Sequence, residues 1–246
     1  MPADDDEVKR FELFHRMIKF VLGNQNYVGP VKELLSSERA RTLGKDKLRV
    51  LDLGTGGGLW AIDMADEFPH VEVTGVDLAP LQPRLVPPNC TFELCDLDTY
   101  CLPYPSNSYD VIHARNMHTG VGLRFPIPYK LTEEYQRCLT MNGIDVTVPP
   151  RMGDLLYETG WYKHVLQQHA DIPIGFWPKD PTLLTVGQLA WQNHDLLLHA
   201  VRPMLLSSGL PEPQVKTLVA EAQRDLYYPL VHIASRLHVV HAIKSM

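Results

Sequence analysis

The stretch VLDLGTGGGLW, residues 50–60, places four glycines within five positions directly after a run of apolar residues. A turn without side chains lets a ligand approach the backbone closely. A dinucleotide-binding turn requires a third glycine where this sequence has Leu59, and a P-loop requires a G-K-[ST] ending that does not follow here. The spacing that remains is D-x-G-x-G-x-G, from Asp52 to Gly58.

Three aspartates lie at the ends of neighbouring predicted strands. Asp52 precedes the first glycine by two residues and suits a cationic ligand better than a pyrophosphate, which it would repel. Asp77 ends the next apolar run, where a carboxylate can accept both hydroxyl groups of a ribose. Asp96 follows the third run and can accept a bond from an exocyclic amine. Together they indicate S-adenosylmethionine, a nucleoside with an ammonium and a sulfonium group but no phosphate.

Eleven histidines provide candidates for a general base, because imidazole titrates near neutral pH. His118 is the first candidate, since it follows the fourth predicted strand where the methyl group of the cofactor should point; an exposed loop histidine is the alternative. His113 lies within that strand and is predicted to be a core residue. His164, His169 and His194 are assigned to predicted helices, as pocket or surface residues.

Alternating apolar strands and amphipathic helices must position these side chains. Helices are predicted at residues 59–68 and 129–140, and strands at residues 48–53, 71–78, 90–97, 109–115 and 144–149. This alternation is typical of an α/β protein with a parallel sheet and helices on both faces. The connection from Leu81 to Asn89 is rich in proline, and its helix should be short or absent.

The flanking segments are predicted to be mainly helical. Helices are expected at residues 7–22, 30–40, 153–170, 186–207 and 213–226. The proline-rich stretch DIPIGFWPKDP, residues 171–181, is interpreted as a lid over the cofactor or as a packed surface loop. RLHVVHAIK, residues 236–244, alternates as a strand does.

Composition excludes several classes of function. The chain of 246 residues carries a formal charge of −6 and has no lysine- and arginine-rich cluster, so we expect no nucleic-acid partner. We expect neither a signal peptide nor a membrane span, and a cytoplasmic location, or a nuclear one for a regulator. The four cysteines lack C-x-x-C spacing, and no metal site is predicted.

Longer strings carry a family resemblance. LDLGTGGGLWAIDMADEFPHVEVTGVDLAPLQP, PPNCTFELCDLD and SYDVIHARNM resemble the class I S-adenosylmethionine-dependent methyltransferases, and more narrowly the fungal LaeA-like group of secondary-metabolism methyltransferases and regulators. The resemblance spans roughly residues 10–145. It implies a Rossmann-like fold with a seven-stranded, mostly parallel sheet and an antiparallel C-terminal strand.

The resemblance also implies roles for individual residues. Asp52 and the glycines of the turn would hold the methionine part of the cofactor, Asp77 the ribose and Asp96 the adenine. Arg115 and Asn116 would border the methionine and the acceptor, with Asn116 a second catalytic candidate beside His118. The full set of predicted cofactor residues is Asp52, Gly54, Thr55, Gly56, Gly58, Asp77, Leu78, Asp96, Leu97, Arg115 and Tyr27. Tyr27 is included because an aromatic ring attracts a sulfonium group; Trp60, Trp161, Phe176 and Trp177 are further aromatic candidates.

The acceptor half departs from the family pattern. The family usually has a Pro-Gly-Gly turn before a glutamate-bearing fifth strand, whereas LTMNGIDVTVPP keeps only Gly143. We therefore expect one methyltransferase domain over residues 1–246 with a remodelled acceptor half. Its parts are an N-terminal helical cap (1–45), a cofactor-binding core (46–150), a helical acceptor or lid region (151–230) and a terminal strand (231–246).

Three functional hypotheses fit this sequence. The leading one is an enzyme that methylates a small-molecule acceptor, on oxygen, in fungal secondary metabolism. The second is a protein that binds S-adenosylmethionine without methylating, as a LaeA-like regulator or a fold reused for a reaction such as a pericyclic one. The third is a protein methyltransferase. The amphipathic N-terminal helix is expected either to cover the cofactor or to pair with a second subunit of a homo-oligomer.

Overall fold

The computed structural model describes residues 4–99, 102–117 and 129–245, which divide into two compact units. The sheet unit comprises residues 4–15 and 22–117, and the ribbon unit comprises residues 16–21 and 129–245. Each unit has a hydrophobic core of its own.

The sheet unit is built on a parallel sheet whose four described strands lie in the order β3-β2-β1-β4. Its strands are β1 (Leu48–Leu53), β2 (Val71–Asp77), β3 (Cys90–Leu94) and β4 (Val111–Ala114). Its helices are α2 (Val31–Leu34), α3 (Ser37–Thr42) and α4 (Leu59–Glu67), together with the first part of α1 (Asp5–Val21).

The strand order creates a crevice where a ligand can bind. The chain builds outward from β1 through β2 to β3 and then returns to place β4 on the other side of β1. Leu53, the last residue of β1, lies beside Val76 of β2 and Ala114 of β4, so the three strands end at one edge. Open α/β sheets bind ligands at such a reversal, outside the carboxyl ends of the strands. The predicted Rossmann-like parallel sheet is confirmed.

The ribbon unit combines helices with a long antiparallel pair of strands. Its helices are α5 (Tyr129–Met141), α6 (Val148–Glu158), α7 (Pro181–Ala200), α8 (Arg202–Ser207) and α9 (Glu212–Tyr227). The strands are β5 (Tyr162–Ile174) and β6 (Ile233–Lys244), which pair with each other over most of their length.

Two predicted elements of this unit are wrong. Residues 144–149 do not form a fifth parallel strand, because Pro149 and Pro150 lie in the first turn of α6, a position that tolerates proline. Residues 162–170 form a strand and not a helix, which places His164 and His169 on β5. His194 lies on a helix, as predicted.

The seven-stranded sheet is not confirmed. The described residues contain four parallel strands and a separate antiparallel pair. The predicted C-terminal strand exists as β6, but its partner is β5. The helices at residues 7–22, 59–68, 129–140 and 213–226 are confirmed within a few residues, whereas residues 30–40 contain two short helices in place of one. In the described ranges, no helix is both long and apolar enough to cross a membrane.

Candidate cofactor site

The glycine turn connects β1 to α4 and depends on left-handed backbone angles. Gly54, Gly56 and Gly58 have φ values of 65°, 56° and 81°. Gly58 is the residue that caps the start of α4, and a Cβ built on it would lie 2.5 Å from the Phe92 ring. Only glycine satisfies both the backbone angle and the packing at this position, which explains the spacing seen in the sequence.

Asp52 is buried beneath the turn, and both of its carboxylate oxygens have partners. Its side chain lies on β1 directly beside His113 of β4, and its residue surface is only 2% exposed. One oxygen pairs with Nδ1 of His113 at 2.7 Å, and the other accepts a hydrogen bond from the Thr55 hydroxyl at 2.6 Å. The carboxylate therefore fixes the conformation of the turn through Thr55. Its role in a ligand site is to hold the backbone of the turn in place.

His113 is part of this buried support. Its ring stacks on the indole of Trp60, with centroids 3.7 Å apart and planes 8° from parallel. Burial lowers the pKa of His113 below its ordinary value, although the neighbouring Asp52 carboxylate acts in the opposite direction. The imidazole is thus neutral at pH 7 and donates its Nδ1 proton to Asp52. His113 lies on β4 and has a partner in Asp52, as predicted, but it is half-buried, with 20% of its side chain exposed, and is not a core residue.

Asp77 presents a different carboxylate at the same edge. It ends β2 and is half-buried. One oxygen accepts from the backbone N–H of Gly56 at 2.8 Å, and the other accepts from the N–H of Ala79 at 3.0 Å. Each carboxylate oxygen can accept a second hydrogen bond. Asp77 consequently holds the turn while keeping acceptor capacity for a ligand hydroxyl group.

Gln82 completes the wall of the turn and was missed by sequence reasoning. Its side-chain amide donates to the carbonyl oxygens of Gly56, at 2.7 Å, and Ala79, at 3.1 Å. The residue lies in the proline-rich connection after β2, for which no regular structure was predicted. The only available signal was its position close behind Asp77 on the edge where the ligand should bind.

Arg115 and Asn116 follow β4 at the same edge. The Arg115 guanidinium is half-buried, donates to Nδ1 of His15 at 2.8 Å and lies over the Phe14 ring at 5.9 Å. Burial lowers the pKa of Arg115, while the charges of Asp52 and Asp63 oppose this shift. Asn116 adopts a left-handed φ of 55°, an angle that asparagine accepts more readily than most residues. The chain thus turns sharply just after a cation.

The remaining candidates at the strand ends, Leu78, Asp96 and Leu97, are exposed or half-buried. Leu78 directly follows β2 and is exposed, whereas Leu97 is half-buried in the segment after β3. Asp96 is exposed and accepts a hydrogen bond from the N–H of Asp98 at 2.9 Å. These residues follow β2 and β3, whose carboxyl ends lie side by side through Asp77 and Leu94.

Tyr27 is not brought to the glycine turn. Its hydroxyl donates to Glu67 at 2.6 Å, and its ring lies near Phe68. Glu67 is the last residue of α4, whereas the glycine turn precedes the first residue, Leu59. His118 lies outside the described residues. Trp60 is buried in the core of the sheet unit, and the other aromatic candidates, Trp161, Phe176 and Trp177, belong to the ribbon unit.

No metal cluster is present in the described part of the chain: no three His, Cys, Asp or Glu side chains are grouped to hold an ion. The residues at the strand edge suit an organic ligand. Asp77 offers an acceptor for hydroxyl groups beside the turn, and Arg115 offers a cation. This combination fits a nucleoside attached to an amino acid.

Comparison with known proteins agrees with this geometry. Residues 50–143, which begin in β1 and end just after α5, match the family described as a methyltransferase domain. Over this segment the chain is similar to the methyltransferase-domain family. This similarity supports the cofactor that the sequence predicts, S-adenosylmethionine.

The chain also resembles the fungal LaeA-like proteins. It is 26% identical over 290 aligned residues to a secondary metabolism regulator laeA of Monascus pilosus, covering 100% of this chain and 74% of that protein. It is 36% identical over 132 residues to the protein-methionine methyltransferase laeA of Emericella nidulans, covering 53% of this chain and 31% of that protein. The predicted family resemblance is confirmed.

One of the solved structures similar to this chain is a methyltransferase. The phosphoethanolamine N-methyltransferase 2 of Haemonchus contortus, in complex with S-adenosyl-L-methionine, superposes with a TM-score of 0.45 at 14% identity. The alignment covers 96% of this chain and 57% of that chain.

Proposed function

We propose that this protein transfers the methyl group of S-adenosylmethionine to an oxygen of a small-molecule acceptor in fungal secondary metabolism. The observation that supports the transferase activity is the glycine turn, which is fixed from below by buried Asp52 and from the side by Asp77. The rigidity of this turn allows a ligand to bind close to the backbone without a further loss of conformational freedom.

The residues at the strand edge divide the cofactor among them in this proposal. Asp77 accepts from the ribose hydroxyls, which fits its half-buried carboxylate with capacity for further hydrogen bonds. The backbone of the turn borders the methionine part, and Arg115 pairs with the methionine carboxylate. Asp96 accepts from the adenine amine, which fits its exposed position after β3.

The cofactor supplies a methyl group already activated by its sulfonium. The protein then needs chiefly to hold the acceptor in line, and such positioning contributes about 7–11 kcal/mol to rate acceleration. A hydroxyl acceptor gains about 10²- to 10⁴-fold more from a base that removes its proton. His118 is the proposed base, because His113 donates to Asp52 and stacks on Trp60 within the support of the turn.

The proposed acceptor class is based on the names of the proteins that this chain resembles. Its relatives from Monascus pilosus and Aspergillus fumigatus are named secondary metabolism regulators, which connects the LaeA-like group with the production of small molecules. The departure from the family pattern, LTMNGIDVTVPP at residues 139–150, directly precedes the proposed acceptor region, residues 151–230, as expected for an enzyme adapted to a substrate of its own.

A second function is favoured by one relative. The laeA of Emericella nidulans is named a protein-methionine methyltransferase. Of the two relatives compared above, it has the higher identity to this chain, 36% over 132 residues. Methylation of a protein side chain would use the same glycine turn and the same cofactor. The two proposed functions differ only in the methyl acceptor, a small molecule or a protein side chain, that would bind at the edge of the sheet beyond Arg115.

One incubation separates these functions. The purified protein is mixed with S-adenosylmethionine labelled in its methyl group and with an extract of the producing fungus, and Asp77→Asn, at a cofactor concentration that does not saturate it, serves as the control with weakened cofactor binding. We expect label in an organic-soluble product with the wild type alone. Label confined to protein would favour the protein methyltransferase, and cofactor binding without any transfer would favour a regulator or a reused fold.

A substitution of the proposed base refines the test. His118→Ala should lower turnover of a hydroxyl acceptor by about 10²-fold or more, while the affinity for S-adenosylhomocysteine stays within about twofold. Full activity in this variant would remove His118 from the mechanism and leave positioning as the source of catalysis.

A further inference from the structure

A histidine of the N-terminal helix connects two charged residues of the sheet unit. Nε2 of His15 lies 3.0 Å from a carboxylate oxygen of Asp63 on α4, and Nδ1 of the same ring lies 2.8 Å from the Arg115 guanidinium. His15 is buried, with 5% of its surface exposed. The three side chains come from α1, from α4 and from the segment after β4, so the contact is made only in the folded unit.

The two contacts fix the form of the imidazole. Arg115 can only donate, so Nδ1 of His15 must be the acceptor and carries no proton. A carboxylate accepts, so Nε2 carries the proton and donates to Asp63. The two contacts together define one tautomer of the His15 ring. The hydrogen bond to Asp63 fixes the orientation of the His15 ring, and the ring in turn fixes the position of the Arg115 guanidinium. Carboxylates orient metal-binding histidines in the same way.

The same face of α1 lies against the glycine turn. A Cβ built on Gly56 would lie 3.4 Å from the Phe11 ring, and the Arg115 guanidinium lies over the Phe14 ring. Residues 11, 14 and 15 share one helical face, because residues three and four apart in a helix are neighbours. The helix therefore contacts both the turn and the cation beside it.

We propose that His15 is the positioning residue that orients Arg115 toward the carboxylate of the methionine part of the cofactor. An arginine recognises a carboxylate through a planar fork of donors, so its orientation matters as much as its charge. The Nη2 bond to His15 and the Phe14 ring together limit the directions that this fork can take. This inference rests on the proposed function, since it needs the cofactor at the strand edge.

Two amide substitutions isolate the contact with Arg115. Asparagine places a carbonyl oxygen where histidine has Nδ1, so His15→Asn keeps an acceptor for Arg115. Glutamine reaches only the position of Nε2, so His15→Gln keeps a group for Asp63 and leaves Arg115 without its acceptor. The variants are matched in polarity, and urea unfolding of both, beside His70→Gln as a control elsewhere in the sheet unit, separates binding from folding.

The readout compares two ligands that share the nucleoside. S-adenosylhomocysteine carries the amino-acid carboxylate, whereas 5′-methylthioadenosine lacks the entire amino-acid part. In His15→Gln the affinity for S-adenosylhomocysteine should fall about 5- to 30-fold, as for a weakened hydrogen bond to a charged group. Its affinity for 5′-methylthioadenosine should stay within about twofold, and His15→Asn should resemble the wild type for both ligands.

The outcomes distinguish this inference from the function on which it rests. A purely structural role of His15 would weaken both ligands together, or would affect the two amides alike, and either result overturns the inference while the proposed function stands. In an Arg115→Ala background, His15→Gln should have no further effect on either ligand; an additional loss would show that it does not act through Arg115. A wild type that binds neither ligand overturns both.

Discussion

The sheet unit and the ribbon unit differ in how strongly the sequence specifies their strands. In the sheet unit, four of the six residues of β1 and four of the seven residues of β2 are buried, and most of these are valine or leucine. In the ribbon unit, most of β5 is exposed, and its sequence YKHVLQQHADIPI mixes polar and apolar side chains. Strands covered on both faces leave a clear signal, and a two-stranded ribbon open to solvent leaves little.

The sheet unit and the ribbon unit also differ in how closely their residues can be related to a proposed function. The glycines and aspartates of the sheet unit occupy positions that backbone angles and hydrogen bonds require. The ribbon unit has a well-defined core of its own, around Leu139 and Leu205, but no residue in it was identified by such a requirement. Under the proposed function, the cofactor constrains the sheet unit, whereas the proposed acceptor region, residues 151–230, can differ from one substrate to another.

The largest effect is expected at the glycine turn. Gly58→Val should destabilise the sheet unit by about 4 kcal/mol, because a left-handed angle and a clash with Phe92 both oppose the side chain. Gly44→Val is the matched control, since its φ is similar, 61°, but nothing lies within 4 Å of its Cβ. Urea unfolding checks the pair, and equal losses would contradict a packing requirement specific to the turn.

A core substitution in the ribbon unit sharpens the contrast. Leu205→Ala should cost about 3 kcal/mol, because a fully buried leucine leaves a cavity. If the cofactor binds to the sheet unit, the dissociation constant of S-adenosylhomocysteine measured by calorimetry should change less than about twofold in this variant. A tenfold loss of affinity would mean that the ribbon unit forms part of the cofactor site.

Asp77 is expected to contribute through binding. Asp77→Asn should weaken S-adenosylhomocysteine by about 10- to 100-fold, because the charged acceptor for the ribose hydroxyls is lost. Asp66→Asn, an exposed carboxylate on α4, provides the control for a general loss of negative charge. Calorimetric titration measures both variants, and equal affinities in the two would exclude Asp77 from the ribose contact.

The buried support predicts a pH dependence. Burial lowers the pKa of His113 in the folded protein, so between its ordinary value of 6.5 and the lower folded value the unfolded chain binds the extra proton. Stability should therefore fall as the pH falls below about 6.5, by at most about 1.4 kcal/mol per pH unit.

His113→Asn tests this dependence, because its side-chain amide keeps a donor for Asp52 but does not titrate. Urea unfolding at pH 7.5, 6.5 and 5.5 should show a smaller slope for the variant than for the wild type. The same slope in both proteins would assign the effect to other groups.

The smallest effect is expected on the surface of the ribbon. Arg236 of β6 donates to both oxygens of Asp171 on β5, at 2.7 and 3.0 Å, in an exposed pair. Arg236→Ala should lower the stability only slightly, and added salt should reduce that loss. A double-mutant cycle with Asp171→Ala measures the coupling; a coupling as large as the loss in Leu205→Ala would show that the ribbon depends on this pair.

Much of the sheet unit could be predicted from sequence because its rules are local. The order of acid, glycine turn and strand-end acid indicated both the fold and the kind of ligand. The partners of these residues could not be predicted: His15 precedes Arg115 by 100 positions, and no local pattern relates them. Gln82 was missed for the same reason, since its role arises from the path of an irregular loop.

In the ribbon unit the errors have physical causes. The apolar alternation at IDVTVP was interpreted as a strand, although Pro149 and Pro150 fit a first helical turn better. The predicted helix at residues 153–170 crosses Gly160, whose left-handed φ of 70° separates α6 from β5. Giving more weight to these prolines and to this glycine would have corrected both elements.

The central claim is that the edge of the parallel sheet binds a nucleoside that carries an amino acid and no phosphate. A calorimetric titration of the wild type with S-adenosylhomocysteine and, separately, with NADH tests it most directly. We predict heat and a raised melting temperature with S-adenosylhomocysteine and neither with NADH. Binding of NADH together with a silent S-adenosylhomocysteine titration would contradict the claim.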